Sequence, residues 1–402
     1  MRKIKIIQGI SILAIVTMLI QACASQSTPQ LQITETPLVT VPVTETTVTT
    51  SPTTAAPAVT TVATEAVTAV SQSASCALKI GYVSDVGKIN DQSFNQATWT
   101  GVQEAAKKLN LGEDCYSFIE TKDSADYEVN IRSFVNEGYN VVVTSGFAMG
   151  QVTRKVAKEH PEVYFIGVDQ QQVDENFKPD PYPNVAGLNF HEDIGGFLAG
   201  ATAGLMTKAN IVGGVFGCKF IPAVARYEVG YHNGVMYVNP KAKVLDVYHP
   251  GSIDVCFSDA TFGSETAQSL VSSGVDVLYG AGGLTANGAM ITACNKGAYV
   301  IGTDMDQFLT LPEVKDCILT SAMKDIVTGV RDLIIAVSDH NFKGGDSYGP
   351  SMLAPFHNLD SKISADVKAK LTDIASKLQT GEINPCTPFE GSNPNTFCVP
   401  VK

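Results

Sequence analysis

The amino-acid sequence predicts an α/β protein of two doubly wound, Rossmann-like lobes with a ligand cleft between them. Three observations carry that prediction. From residue 76 onward, short apolar runs without polar alternation alternate with stretches of helical spacing, the pattern of a parallel sheet covered on both faces. The alternation comes in two successive series of similar size. The loops that follow the apolar runs collect Asp, Asn and Gly, and ligands of doubly wound sheets sit outside the carboxyl ends of the strands.

In the first series, residues 79–84 (KIGYVS), 115–120, 140–144 (NVVVT), 163–168 (VYFIGV) and 185–190 read as strands, and 93–109, 129–137 and 149–159 as helices. The 93–109 helix sets Phe94, Ala97, Gly101, Val102, Ala105 and Leu109 at helical spacing. A longer helix, 194–206, leads into the second series. There 211–216, 243–247, 275–279 and 299–302 read as strands, and 224–238, 265–273 and 286–295 as helices. An apolar run at 318–321 and a helix over 326–340 follow, and 365–378 reads as one more helix before a loop-rich tail from Pro385. The organisation expected is 76–190 plus about 323–345 as lobe one, 191–322 as lobe two, and 346–402 as a C-terminal helix and tail.

The N-terminus reads as an export signal. Arg2, Lys3 and Lys5 precede an apolar run over residues 6–20, short of the roughly 20 residues that cross a bilayer as a helix. Leu19-Ile20-Gln21-Ala22-Cys23 then reads as a lipobox, so residues 1–22 are the lipoprotein signal peptide and Cys23 the lipid anchor. Residues 23–75 form a Thr/Pro-rich tether whose only charges are Glu35, Glu45 and Glu65. Such a stretch cannot bury enough apolar surface to fold. It suits a spacer between a membrane and a folded domain, and a glycosylated stalk is compatible with it.

With 402 residues and 44% hydrophobic composition, the chain is long enough for two or three packed cores. Its net charge is -12, and cleavage after residue 22 removes three bases and takes it to -15. That sign excludes a nucleic-acid binder. GxxxxGK[ST], HExxH and CxxC are absent, and the six histidines lie scattered without metal-ligand spacing. No enzyme, cofactor or metal is expected.

The loops hold the candidates for chemistry. After the first strand come Asp85, Asn90, Asp91, Ser93, Phe94 and Asn95, with Ser93 and Gln96 spaced as a capping box. Asp85 follows its strand directly, where capping does not require it. Ser145, Gly146 and Phe147 follow the third strand. Gly282 and Gly283 follow 275–279, in a loop that permits close backbone approach to a ligand. Asp304 and Asp306 stand near the end of the second series, and Lys324 follows the run at 318–321.

Six stretches resemble one family in order: SDVGKINDQSFNQATWTGVQEA, SGFAMGQVTRKVAKEHPEVYFIGVD, NVAGLNFHEDIGGFLAGATAGLM, GGVFGCKFIPAVARYEVGYHNGVMYVNP, AGGLTANGAMITACNKGAYVIGTDMDQ and LTSAMKD. These follow the pattern of the basic membrane protein family, the PnrA-like purine nucleoside receptors, which are lipoprotein substrate-binding components of ABC importers. The resemblance covers about residues 79–340. Asn90-Asp91 departs from the family's usual Asp pair, and AGGLTANG from its more frequent AGGTGLG.

The resemblance implies a type I periplasmic-binding-protein fold closing around a purine nucleoside, ABC permease subunits as partners, and a monomer on the extracytoplasmic face of a bacterial membrane. A nucleoside needs an aromatic face, groups for its ring edge and partners for its ribose. Phe94 is the stacking candidate, with core packing as its alternative. Asp85, Asp91 and Asn95 are the edge readers. Asp304 and Lys324 would hold the ribose, with Asp306 as support or helix cap. A second aromatic from the other lobe is open among Phe220, Phe257, Phe262 and Tyr279. Asp85, Asp91, Asp304 and Asp306 against Lys88 and Lys324 make a poor cradle for phosphate, so a neutral nucleoside fits better than a nucleotide. A sensor, autoinducer or sugar receptor on the same fold is the alternative reading, as is a surface adhesin.

Nine cysteines remain to be placed. Lipid takes Cys23, and export puts the other eight where pairing is expected. Cys76 and Cys115 begin neighbouring strands and are expected to pair, and Cys386 with Cys398 would close a loop in the tail. Cys218 with Cys256 and Cys294 with Cys317 are the remaining pairs, with buried free thiols as their alternative.

Overall fold

Among the residues that the computed structural model describes, 76–387 and Cys398, twelve strands form two six-stranded sheets. The signal segment, Cys23 and the tether lie outside the described residues, as does most of the tail beyond Thr387. Lobe one is built from β1 (Ile80–Val86), α1 (Phe94–Lys108), β2 (Tyr116–Thr121), α2 (Tyr127–Asn136), β3 (Val141–Ser145), α3 (Gly150–Glu159), β4 (Tyr164–Val168) and β5 (Val185–Phe190). The chain then crosses to lobe two. That lobe comprises α4 (Glu192–Met206), β6 (Ile211–Cys218), α5 (Pro222–Val238), β7 (Lys243–His249), α6 (Ala260–Ser272), β8 (Val277–Ala281), α7 (Gly283–Asn295), β9 (Tyr299–Asp304), α8 (Gln307–Thr310) and β10 (Ile318–Lys324). It returns with α9 (Ile326–Ser338), which packs on α1.

The two sheets repeat one topology. Their orders are β11-β5-β4-β3-β1-β2 and β12-β10-β9-β8-β6-β7, where β11 is Gly345–Gly349 and β12 is Ser351–Leu353. All neighbours in the first sheet run parallel, and in the second only β12 is antiparallel, against β10. In each lobe the strand order reverses beside its first strand, at β1/β3 and at β6/β8, the crevice where doubly wound folds take ligands. Both faces of each sheet are covered. Tyr82, Val143, Ile166 and Phe190 pack under α1 and α9, while Val83, Val142 and Phe165 face α2 and α3.

The segment after residue 345 does more than trail the lobes. β11 pairs with β5 through Gly345 to Gly349, β12 pairs with β10, and α10 (Ala365–Gln379) packs on α4. β11 contains no apolar run and β12 is only three residues long, which is why periodicity leaves both unmarked. Three chain crossings therefore join the lobes: β5 to α4, β10 to α9, and β11 to β12. Disulfides join Cys76 to Cys115, Cys218 to Cys256, Cys294 to Cys317 and Cys386 to Cys398. Among the described residues, no helix is long and apolar enough to cross a membrane.

Helices α4 and α5 approach until their backbones touch. A Cβ on Gly200 would lie 2.0 Å from the Tyr231 carbonyl oxygen, and one on Gly234 would lie 2.0 Å from that of Phe197. Neither obstacle is a movable side chain, so an added methyl must push the helices apart. Gly200→Ala is expected to lower the unfolding free energy by about 1–3 kcal/mol, read from urea titration of Trp99 fluorescence; an unchanged midpoint would remove this packing argument.

Candidate functional site

The first strand ends where its sheet reverses direction, and Asp85 stands there. Its Oδ1 accepts from its neighbour Val86 N (2.8 Å) and from the Tyr127 hydroxyl, and its backbone N–H donates to Ser145 Oγ (3.0 Å). The adjoining strand is followed by Gly146 at φ +97°, where a Cβ would come within 2.1 Å of Asp85 Oδ2. Only glycine fits beside this carboxylate. Behind it, Ser145 Oγ lies 2.9 Å from both the Tyr82 hydroxyl and Asn95 Oδ1, a buried network that fixes the Asn95 amide.

The capping box is corrected by the structure. Ser93 makes no side-chain cap; Asp91 does the work, accepting from Ser93 N (2.9 Å), Asn95 N (3.0 Å) and Gln96 N (3.0 Å). A carboxylate with two oxygens serves three orphan N–H groups where a hydroxyl serves one. Ser93 Oγ is thereby released to donate across the cleft to Asp304 Oδ2 (2.6 Å). Burial pushes the carboxyls of Asp85 and Asp91 up to about 6, against the pull of the hydrogen bonds each accepts.

Lys324, the last residue of β10, lies at the junction of the lobes. Its Nζ is 2.5 Å from Asp169 Oδ2, 3.1 Å from Glu192 Oε1 and 3.9 Å from Asp304 Oδ1. The same ammonium stands 5.1 Å from the ring centre of Phe94 and 5.4 Å from that of Tyr227. Burial alone would lower the lysine's proton affinity, but Asp169, Glu192 and Asp304 together hold it above the usual lysine range, so it is charged. Burial acts on Glu192 in the opposite sense and is outweighed by Arg226, whose Nε is 2.6 Å away, and by Lys324, which bring it down to about 2. Asp169 is raised by burial against the pull of Lys324, and its Oδ1 is buried without a hydrogen-bond partner.

These groups open on one cavity of about 610 Å³, including its mouth, between the carboxyl ends of the two sheets. Asp85, Asp91, Phe94, Asn95, Gly146 and Phe147 line it from lobe one. Gly282, Gly283, Asp304 and Lys324 line it from the strand ends of lobe two. Three sequence candidates stand outside its lining. Asn90 is exposed, Ser145 sits behind the wall, and Asp306 Oδ2 is held 2.7 Å from His357 Nε2. Of the four aromatics left open, Phe257 lines the cavity; Phe220 is exposed, Phe262 packs edge-on against His249, and Tyr279 stacks on Tyr231 in the core.

Sequence reasoning missed Asp169, Thr303, Tyr227, Ile221 and Val224, all of which line the cavity. Asp169 carried a readable signal, since it follows its apolar run directly, as Asp85 does. Tyr227 carried none, because an aromatic within an apolar helix reads as core. Chemically, the cavity offers aromatic and aliphatic walls, four carboxylates and one ammonium. It suits a flat, polar-edged, uncharged ligand rich in N–H and O–H donors.

The family described as "ABC transporter substrate-binding protein PnrA-like" (Bmp) matches residues 78–349. A CD4+ T-cell-stimulating antigen of Listeria monocytogenes is 33% identical over 322 residues, spanning 76% of this chain and 87% of the relative. The ABC transporter nucleoside-binding protein BmpA of Lactococcus lactis is 32% identical over 283 residues, 67% of this chain and 77% of the relative. Among solved structures, an ABC transporter solute-binding protein from Aeropyrum pernix superposes with a TM-score of 0.66 at 24% identity, covering 76% of this chain and 92% of that one. The fold is that of the type I periplasmic solute-binding proteins. The chain belongs to the Bmp family of PnrA-like ABC transporter substrate-binding proteins.

Proposed function

We propose that the inter-lobe cavity binds a purine nucleoside, and that the protein, exported and lipid-anchored at Cys23, delivers it to an ABC permease. The observation that carries this reading is the pairing of aromatic rings from opposite lobes, Phe94 and Phe257, around a cavity whose charged groups are four carboxylates and one ammonium. Rings on both sides suit a planar base. Asp85 and Asp91 accept from the N–H groups of its edge, with Asn95 beside them. Asp304 and Lys324 hold the ribose hydroxyls, and the unpartnered Asp169 Oδ1 takes one more donor. The Lactococcus lactis relative, named as nucleoside-binding, supports the same ligand class. With four carboxylates facing one ammonium, a phosphate ester would meet net repulsion. Closure of the two lobes on the ligand is the signal offered to the permease.

Calorimetric titration of the mature protein with inosine, guanosine, adenosine, their 5′-monophosphates, ribose and glucose tests the reading. At least one nucleoside is expected to bind at sub-micromolar concentration, while ribose, glucose and the corresponding 5′-monophosphate give no heat; silence from all nucleosides would sink the proposal. Phe94→Ala should weaken that binding by about 1–3 kcal/mol with little change in thermal midpoint, and an unaltered affinity would return Phe94 to core packing. Affinity should also depend on pH. The carboxyls of Asp85 and Asp91, raised to about 6, accept most strongly from the ligand when ionised, and protonation turns one acceptor oxygen into a donor, so binding weakens as pH falls through 6 and levels off above about 7. Asp85→Asn is expected to flatten part of that profile; an affinity constant from pH 5 to 8 in the unaltered protein would exclude carboxylate acceptance.

A further inference from the structure

The lobes also grip each other beside the cavity. Asn287 of α7 donates through Nδ2 to the Asp91 carbonyl (2.8 Å) and to Gln92 Oε1 (3.3 Å). The Gln92 carbonyl accepts from Gln307 Nε2 (3.2 Å) and Thr310 Oγ1 (2.9 Å), both on α8. Gln307 Nε2 donates in turn to Asn287 Oδ1 (2.9 Å), so the side chains of lobe two are tied to one another. Gln92 itself lies at φ +61°, a left-handed conformation costly for a residue with a side chain. Its own N–H is held by Gln96 Oε1 (3.1 Å). The strained turn therefore presents a carbonyl to the opposite lobe. Asn287, Gln307 and Thr310 do not line the cavity.

We propose that Asn287, Gln307 and Thr310 are positioning residues: by holding the 91–93 loop they set the fraction of molecules whose cleft is closed, and through it the lifetime of the bound complex. Every bond in this latch joins protein to protein, so it favours closure whether or not a ligand is present. Apparent affinity then scales with the closed fraction. Because water replaces these partners on opening, each bond contributes modestly and the cleft still opens. The same loop carries Asp91, which faces the ligand, and Ser93, which reaches Asp304; holding its backbone therefore sets the distance between the two walls. Gln307 also accepts from Thr303 N (2.8 Å), so its removal would disturb lobe two directly and it is not the residue to test.

The test uses the full-length protein carrying Thr310→Val or Asn287→Ala. It rests on the nucleoside reading only for the ligand employed in its kinetic arm. Without ligand, small-angle scattering should show a larger radius of gyration for each variant than for the unaltered protein. With the nucleoside that binds, stopped-flow measurement should show dissociation accelerated about three- to tenfold with association unchanged. Thr310→Ser, which keeps the hydroxyl, should restore both readouts. Folded variants whose ligand-free dimensions and dissociation rates match the unaltered protein would overturn the proposal, as would a Thr310→Ser that behaves like Thr310→Val. If no nucleoside binds at all, the scattering arm still decides the latch, and the ligand reading fails separately.

Discussion

One buried ammonium holds the geometry of this protein together. Lys324 leaves β10 at the point where the chain crosses back to lobe one, and its partners come from three other places: Asp169 after β4, Glu192 at the start of α4, and Asp304 at the end of β9. A lysine taken this far from water costs several kcal/mol unless its charge is compensated. The compensating carboxylates belong to both lobes, so satisfying the charge fixes how the two sheets meet. Glu192 needs Arg226 as well, which draws α5 into the same network. The crossing from β5 to α4 and the crossing from β10 to α9 are thus bound by charge as well as by chain.

The repeated sheet topology explains why the cavity lies where that network ends. Each lobe has its reversal point beside its first strand, and Asp85 and Gly146 mark it in lobe one as Gly282 does in lobe two. The backbone-to-backbone packing of α4 and α5 then stiffens lobe two directly behind Tyr227, whose hydroxyl donates to the Ala322 carbonyl (3.2 Å) and whose ring stands beside Lys324. Walls made by helices in contact are poorly compressible. The covalent links between the two lobes are the three crossings.

Most of this was legible in the sequence because burial on both faces leaves an uninterrupted apolar run, and that pattern survives without any alignment. Asp85, Phe94, Asp304 and Lys324 were legible for a different reason: each stands just past an apolar run, or opens the helix after one, where a doubly wound sheet exposes side chains to a ligand. The pattern fails where an element lacks apolar residues, as in β11, which pairs through GDSYG. It fails again where two residues compete for one role. Ser93 has the spacing of a cap, yet Asp91 outcompetes it, and no local pattern shows that the released hydroxyl finds Asp304 some 211 positions away. Tyr227 and Asn287 belong to the same class, since each acts on a partner that only the tertiary fold supplies.

The carboxylates that suit the cavity to a neutral ligand also make its closure sensitive to what is bound. Burial is the largest cause raising Asp85, Asp91 and Asp169. An open cleft lets water reach these groups and relieves that cost. A closed cleft without a ligand must either protonate them or leave acceptors such as Asp169 Oδ1 unsatisfied. N–H and O–H donors from a ligand remove the penalty, so such a ligand gains affinity from the same burial that makes empty closure costly. The cross-lobe bonds at Gln92 act in the opposite direction, favouring closure in either state. The balance between these two terms sets how strongly binding is coupled to the closed form.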